Sequence, residues 1–263
     1  EEVPRLKAIA SALESGYRAS KVVTATLEEL QSLMGLKPFI EKKSDAEAIE
    51  QDEIASNEIL IESWVQWVHS YNDDALLSGF HNEWGRHGSL EFILKYAVPL
   101  LHRIGNGWEK KELDISHEHF ASECLISFIS EKWRQLNIRK NGPTVLITTL
   151  PGETYSLGIL MCALITSVTN SKVIYLGVDN PVDVIISAAE NHKPEIITLS
   201  ISHVFDPTTA RNLLSKIRKE ISPKTSIVTG GLGSPIEIPG VSYMPSFNNY
   251  YEFLSNINQS EKI

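Results

Sequence analysis

Residues Thr144 to Val168 read TVLITTLPGETYSLGILMCALITSV, and this stretch decides the fold. It begins as a β-branched run of strand length and ends as an apolar run long enough for a helix. A Pro-Gly turn joins the two. A strand that feeds a helix through a short turn is the opening unit of a parallel sheet. The chain then repeats the alternation. KVIYLG (172–177), IITLSIS (196–202) and SIVTGG (226–231) read as strands, with PVDVIISAAENH (181–192) and DPTTARNLLSKIRKE (206–220) as helices between them. The expectation is a Rossmann-like parallel sheet domain over residues 141–263.

Ahead of it the pattern is helical. AEAIEQDEIASNEILIESWVQWVHSY (46–71) is followed by DDALLSGFHNEWGRH (73–87), with Asn72 as its expected cap. SLEFILKYAVPLLHRIGNGWEKKEL (89–113) has a possible cap in Ser89 and an expected kink at Pro99. DISHEHFASECLISFISEKWRQL (114–136) carries an apolar stripe through Ile115, Phe120, Leu125, Phe128 and Ile129. Four helices with short joints predict a bundle over residues 46–138. Residues 1–40 form a smaller helical unit, with Leu27, Leu30, Leu33 and Met34 on one face.

The chain has 263 residues and a net charge of −9, from 24 basic and 33 acidic side chains. Such a surface does not attract nucleic acid by itself. Cys124 and Cys162 both lie in apolar helical runs and read as buried, reduced thiols. A thioether from Cys124 to a bilin stays open as a minor alternative. No apolar run approaches membrane-spanning length and no leader is legible, so a cytoplasmic protein is expected.

In open α/β sheets ligands bind beyond the carboxyl ends of the strands. Those ends carry Glu153, Thr154, Tyr155, Leu157 and Gly158 after the first strand, then Ser200 and Ser202, then Gly230, Gly231 and Gly233. Glycines permit close backbone approach, and the small hydroxyls can donate hydrogen bonds. The absence of GxxxxGK[ST], and of GxGxxG after the first strand, weakens a nucleotide reading. In the bundle, Trp108 precedes a helix–helix turn, and Glu118 and His119 follow it. A hairpin would bring the three to one end, where they suit a flat ligand with polar edges. The sequence shows no zinc spacing, nucleophile elbow or activated cysteine. Glu153 in the turn has the chemistry of an acid–base group, but nothing nearby indicates a substrate. The chain is therefore read as a binding protein, not an enzyme.

These residues carry a resemblance. GWEKKELDISHEHFAS (107–122), with Trp108 spaced from Glu118-His119, together with PGETYSLG, LSIS and TGGLG in that order, resembles the light-sensing, cobalamin-dependent transcription repressors of the MerR class (the CarH/LitR type). The first 36 residues resemble the second half of that class's winged-helix DNA-binding domain. The half that enters the major groove lies outside these residues. The resemblance implies that Trp108, Glu118 and His119 cover a corrin ring. It also implies a histidine in the turn as lower cobalt ligand and often a second one after the tryptophan. Here those positions are Tyr155 and Glu109. A protonated phenol is a poor substitute for imidazole toward cobalt.

Four expectations follow. The first is a light-responsive regulator that holds a bilin such as biliverdin in a repurposed cobalamin site. The others are an adenosylcobalamin sensor without axial histidine, a corrinoid carrier for methyl transfer, and a ligand-free oligomerisation module. In the regulator readings the partners are operator DNA, through an N-terminal head, and further copies of the chain as a dimer or tetramer.

Overall fold

The structure is a computed structural model that describes residues 45–138 and 140–260. The MerR-like reading of residues 1–40 falls outside the described residues. The core and the site belong to the compact unit that begins at Ser56.

Helix α1 spans Asp45–His69 and α2 spans Asp73–Phe92. The Asn72 side chain accepts from the Ala75 amide and caps α2, as its position before two aspartates leads one to expect. Gly88 breaks α2 internally at φ 76°, where residues with a Cβ are disfavoured. A π-helical turn, Ile93–Ala97, leads into α3, Val98–Glu109, with Pro99 at its start. The expected kink at Pro99 is therefore a wide turn just before it. Proline lacks an N–H and crowds the carbonyl four residues back, and π geometry relieves both. Ser89 directly follows the break at Gly88 and opens the helical segment that runs on to Phe92, where the sequence places a new helix.

Helix α4, Ile115–Leu136, begins with a reciprocal cap. Asp114 accepts from the backbone of the first turn, and the Asp114 amide donates to Nδ1 of His117 at 3.0 Å. His117 is thus committed to the cap and buried, while His119, two residues on, is exposed. Trp64, Phe80, Phe92, Tyr96 and Phe128 form a buried aromatic cluster within the bundle, mostly in edge-to-face contacts.

The sheet domain follows the alternation legible in the sequence. Its elements are β1 Thr144–Thr148, α5 Leu157–Val168, β2 Lys172–Gly177, α6 Val182–His192, β3 Ile196–Ser200, α7 Pro207–Glu220, β4 Ser226–Gly230, β5 Val241–Met244 and α8 Phe247–Ser260. All pairings are parallel, in the order β2-β1-β3-β4-β5. β5 and α8 add to the expected set. β5 is a four-residue edge strand, too short and too mixed in polarity to stand out.

Both faces of the sheet are covered. Val145, Ile147 and Val173 face α5 and share one continuous core with the bundle. Leu146, Ile197 and Leu199 face α6 and α7. Helix α5 lies between the sheet and α4 and is buried throughout Ile159–Ser167. That position explains why its sequence is apolar all round rather than striped.

Candidate ligand-binding site

The strand order reverses direction between β1 and β3, so the crevice above that pair is where an open sheet of this topology accepts a ligand. The turn after β1, residues 149–156, forms one wall. It is pinned from below and from the side. Thr149 Oγ1 donates to the Glu153 carbonyl (2.7 Å), and the Gly152 amide donates to Asp179 Oδ1 (2.6 Å). The Asp179 amide in turn donates to Thr149 Oγ1 at 2.8 Å.

Glu153 is the surprise of this turn. Its side chain points inward, and the residue is only 2% exposed. One carboxylate oxygen accepts from the Tyr155 amide (3.0 Å), and the other from the Ser202 amide after β3 (2.7 Å). The carboxylate therefore clasps the two loops of the switch point together. Both oxygens are engaged by backbone donors, which is a holding role rather than acid–base work. Thr154 and Tyr155 project outward instead, with Tyr155 54% exposed.

The bundle end can be placed over this wall by counting along α4. Near its C-terminus, Asn137 exchanges two hydrogen bonds with Val173 of β2, at 2.9 and 3.1 Å. One turn back along the helix, Trp133 packs on Tyr175, two residues up the strand. Four helical residues rise about 6 Å and two strand residues about 7 Å, so α4 climbs antiparallel to β2. From Trp133 to Glu118 the helix rises about 22 Å, whereas β2 ends about 7 Å above Tyr175. Glu118 and His119 thus stand roughly 15 Å beyond the strand ends, at the same end of the molecule as Tyr155. A tight turn after α3 brings Trp108 and Glu109 to that end as well: the Gly107 carbonyl accepts from both Glu112 and Leu113.

The bundle and sheet candidates thus lie toward one end of the molecule. Trp108 is 52% exposed and Glu109 is exposed. Glu118 accepts from Ser122 (2.8 Å) and lies 3.5 Å from His119. Leu157 starts α5, and Gly158 lies so close to Ser200 that a Cβ would collide with the serine hydroxyl. Gly231 and Gly233 pack directly on the carbonyls of Ile201 and Ser202. Gly230 ends β4.

Other contributors escaped the sequence reading. Asp179 is a positive-φ residue that looked like an ordinary turn aspartate. Ser202 and Thr229, which the sequence offers as hydroxyl donors, have buried hydroxyls without a partner, and so does Ser234, which the sequence does not single out. Val204, Leu232 and Ile236 are exposed apolar side chains on the sheet loops, Leu232 by 85%.

The electrostatics of the sheet loops are one-sided. Residues 149–156, 177–181, 201–206 and 231–240 contain Glu153, Asp179, Asp206 and Glu237 but no lysine or arginine. Lys110 and Lys111 lie on the bundle side. The end thus offers exposed apolar side chains and neutral hydroxyls, with one guanidinium on the loops, that of Arg211 of α7 on the Glu237 carbonyl at 2.6 Å. That combination suits a large flat ring whose edge carries neutral hydrogen-bonding groups, such as the amides of a corrin. It is less suited to a ring bearing several carboxylates. The turn itself offers a phenol and no imidazole to a metal at the ring centre.

The two cysteines are free and buried. Burial raises both thiols, Cys162 up to about 12, which keeps them protonated and unreactive. Among the described residues, no group of three or more His, Cys, Asp or Glu could hold a metal ion, and no helix is long and apolar enough to cross a membrane.

Comparison with known proteins agrees with the geometry. Residues 143–237 match the B12 binding domain family, and residues 60–130 match a second B12 binding domain family that covers the bundle. The HTH-type transcriptional repressor CarA of Myxococcus xanthus is 24% identical over 139 residues, covering 53% of this chain and 46% of CarA. Trimethylamine corrinoid protein 1 of Methanosarcina mazei is 27% identical over 115 residues, covering 42% of this chain and 53% of that protein. The chain thus spans about half the length of these relatives. The monomethylamine corrinoid protein of Methanosarcina barkeri has the same fold, with a TM-score of 0.62 at 15% identity over 76% of this chain and 99% of that one. The chain therefore joins a helical cap to a Rossmann-like sheet domain, and both parts are similar to B12-binding domains.

Proposed function

We propose that this chain is the ligand-binding part of a transcription regulator and that it holds a corrinoid between the bundle end and the switch-point loops. The observation that carries the reading is the concentration of exposed apolar residues at that one end, above loops with unpaired buried hydroxyls. Trp108, Glu118 and His119 cover the ring from the bundle side, and Tyr155 lies beneath it in the turn. When bound, the corrinoid supplies a cobalt centre whose upper bond can respond to light. The protein supplies the stacking surfaces, the hydrogen-bonding edge and a dry setting. The regulatory role rests on the similarity to CarA, and the neighbouring carrier role on the similarity to methylamine corrinoid proteins. Tyr155 in place of a turn histidine departs from both roles, and the resemblance of the first 36 residues to half of a winged-helix domain favours the regulator.

Ligand occupancy can alter oligomer contacts and DNA pairing only if the ligand binds one arrangement more tightly than another. Dimers or tetramers are the expected assemblies, since operator half-sites are paired. The test mixes the purified chain with hydroxocobalamin or adenosylcobalamin and follows co-elution by visible absorbance in gel filtration. Stoichiometric co-elution is expected. Free elution of both cobalamins sinks the reading.

A bilin photoreceptor is the second reading. It is favoured by the simultaneous loss of imidazole at 155 and 109, which removes the reason to keep cobalt. Its propionates would pair with Lys110 and Lys111 on the bundle side or with Arg211, which reaches the Glu237 carbonyl on the sheet side. Biliverdin that co-elutes and gains a sharpened far-red band, in a preparation that ignores cobalamin, would establish it.

A further inference from the structure

The helix that carries Glu118 and His119 starts on an unusual cap. A reciprocal cap ordinarily takes Glu or Gln three residues after the cap residue, because that side chain must reach back and accept from the cap residue's own amide. Here the accepting group is an imidazole. The Asp114 amide donates to Nδ1 of His117 at 3.0 Å, while the Asp114 side chain accepts from the His117 backbone. An amide N–H only donates, so Nδ1 carries the lone pair and the ring proton sits on Nε2.

The imidazole is held in that role from outside its own helix. His117 is buried, and the Tyr71 ring, in the turn between α1 and α2, stacks on it with 4.8 Å between centroids. His69 of α1 lies 4.7 Å away. Tyr71 stands at φ 51°, a region that bulky residues seldom enter, and its hydroxyl bonds to Ser116 Oγ at 2.7 Å. The titratable neighbours are His69 and Tyr71 from α1 and its turn, and Asp114 and Glu118 on the segment itself. Asp73, at the start of α2, acts on Cys124 two turns further along the same face of α4. On the α3 side, Arg103 is paired with Glu62 and Glu112.

Protonation puts an N–H on Nδ1, opposite the Asp114 amide. Two donors then face each other, and the amide loses its acceptor. The carboxylates of Asp114 and Glu118 attract the cation but give Nδ1 no lone pair back. Asp114 directly follows the turn that carries Trp108, and Glu118 directly follows His117. Loosening this cap therefore moves Glu118 and His119 relative to Trp108.

We propose that His117 is a positioning residue for the ligand cover and that it acts only as a neutral imidazole, which makes corrinoid binding acid-sensitive. The inference rests on the corrinoid reading and deepens it.

Equilibrium titration of the whole chain with adenosylcobalamin in the dark, at about pH 5.5 and about pH 7.5, tests this. Affinity should fall about fivefold on acidification, as loss of one cap predicts. His117→Gln supplies the ordinary cap acceptor, which does not titrate. It should bind like the unaltered chain at the higher pH and lose most of the acid sensitivity, although His119 is still present. His117→Ala should bind about fivefold more weakly at both values. Equal acid loss in the unaltered chain and the Gln variant would assign the sensitivity to another group and overturn the proposal, while the corrinoid reading stands. So would an Ala variant that binds as tightly as the unaltered chain. If the Ala variant does not fold, the Gln comparison alone decides. Failure of adenosylcobalamin to bind any of the three would remove the corrinoid reading and this inference with it.

Discussion

The two ends of the sheet domain treat polar groups in opposite ways. At the amino ends of the strands, Asn137 is bolted to Val173, Lys140 donates to the Thr169 carbonyl, and Asn258 donates to Ser171. At the carboxyl ends, the hydroxyls of Ser202, Thr229 and Ser234 are buried without partners, and Trp108, Tyr155 and Leu232 stand in water. The first end satisfies its hydrogen bonds and holds bundle and sheet together. The second leaves unspent both hydrogen-bonding capacity and apolar surface. Local stability is commonly lowest where ligands bind, and that contrast supports the site proposed at the carboxyl ends.

The largest effect should come from the core that joins the two ends. Trp64 is fully buried among Phe80 and Tyr96. Trp64→Ala should cost about 3–5 kcal/mol, read as a lower urea midpoint with an unchanged slope. A loss under about 1 kcal/mol would mean that the aromatic cluster is not a shared core.

Glu153 comes next, because with Thr149 and Asp179 it ties down the open end much as the other end is tied down. Glu153→Ala leaves two loop amides without their acceptor, and about 2–4 kcal/mol of stability should be lost. Hydrogen exchange should accelerate at the Tyr155 and Ser202 amides in particular. Uniform acceleration across the sheet, with no excess at those two, would break the view of Glu153 as a local clasp. A smaller change, about 1–2 kcal/mol, is expected for Asn137→Ala. It should leave corrinoid affinity untouched, since the residue lies at the opposite end from the ligand. A parallel loss of affinity would erase the distinction between the two ends.

Much of this was legible in the sequence, for identifiable reasons. The strands around Val145 and Ile197 announce themselves because they are buried on both faces and therefore uniformly apolar. Trp108 and Glu118 could be assigned to one end because a short turn leaves a hairpin little choice. The clasp could not be read. Whether Glu153 points in or out depends on an amide forty-nine residues away, at Ser202. The burial of Tyr250 was unreadable for a similar reason, since its partners lie on two other elements and its own helix is mixed in polarity. The π turn before Pro99 shows a proline's effect displaced to the residues that must accommodate it.

The smallest stability effect belongs to Tyr155, and it is the most informative at the ligand. The side chain is exposed and only its backbone is held, so Tyr155→His should change stability by less than about 0.5 kcal/mol. If the ring lies over this turn, the new imidazole will meet cobalt from below, as a neutral nitrogen ligand does readily. Hydroxocobinamide is the right probe because it has no base of its own to compete. Its visible bands should shift in the Tyr155→His variant and stay unchanged in Tyr155→Phe. Identical spectra for both variants, with binding retained, would place the ring away from the turn. Tyr155 would then be an ordinary surface residue and not the floor of the site.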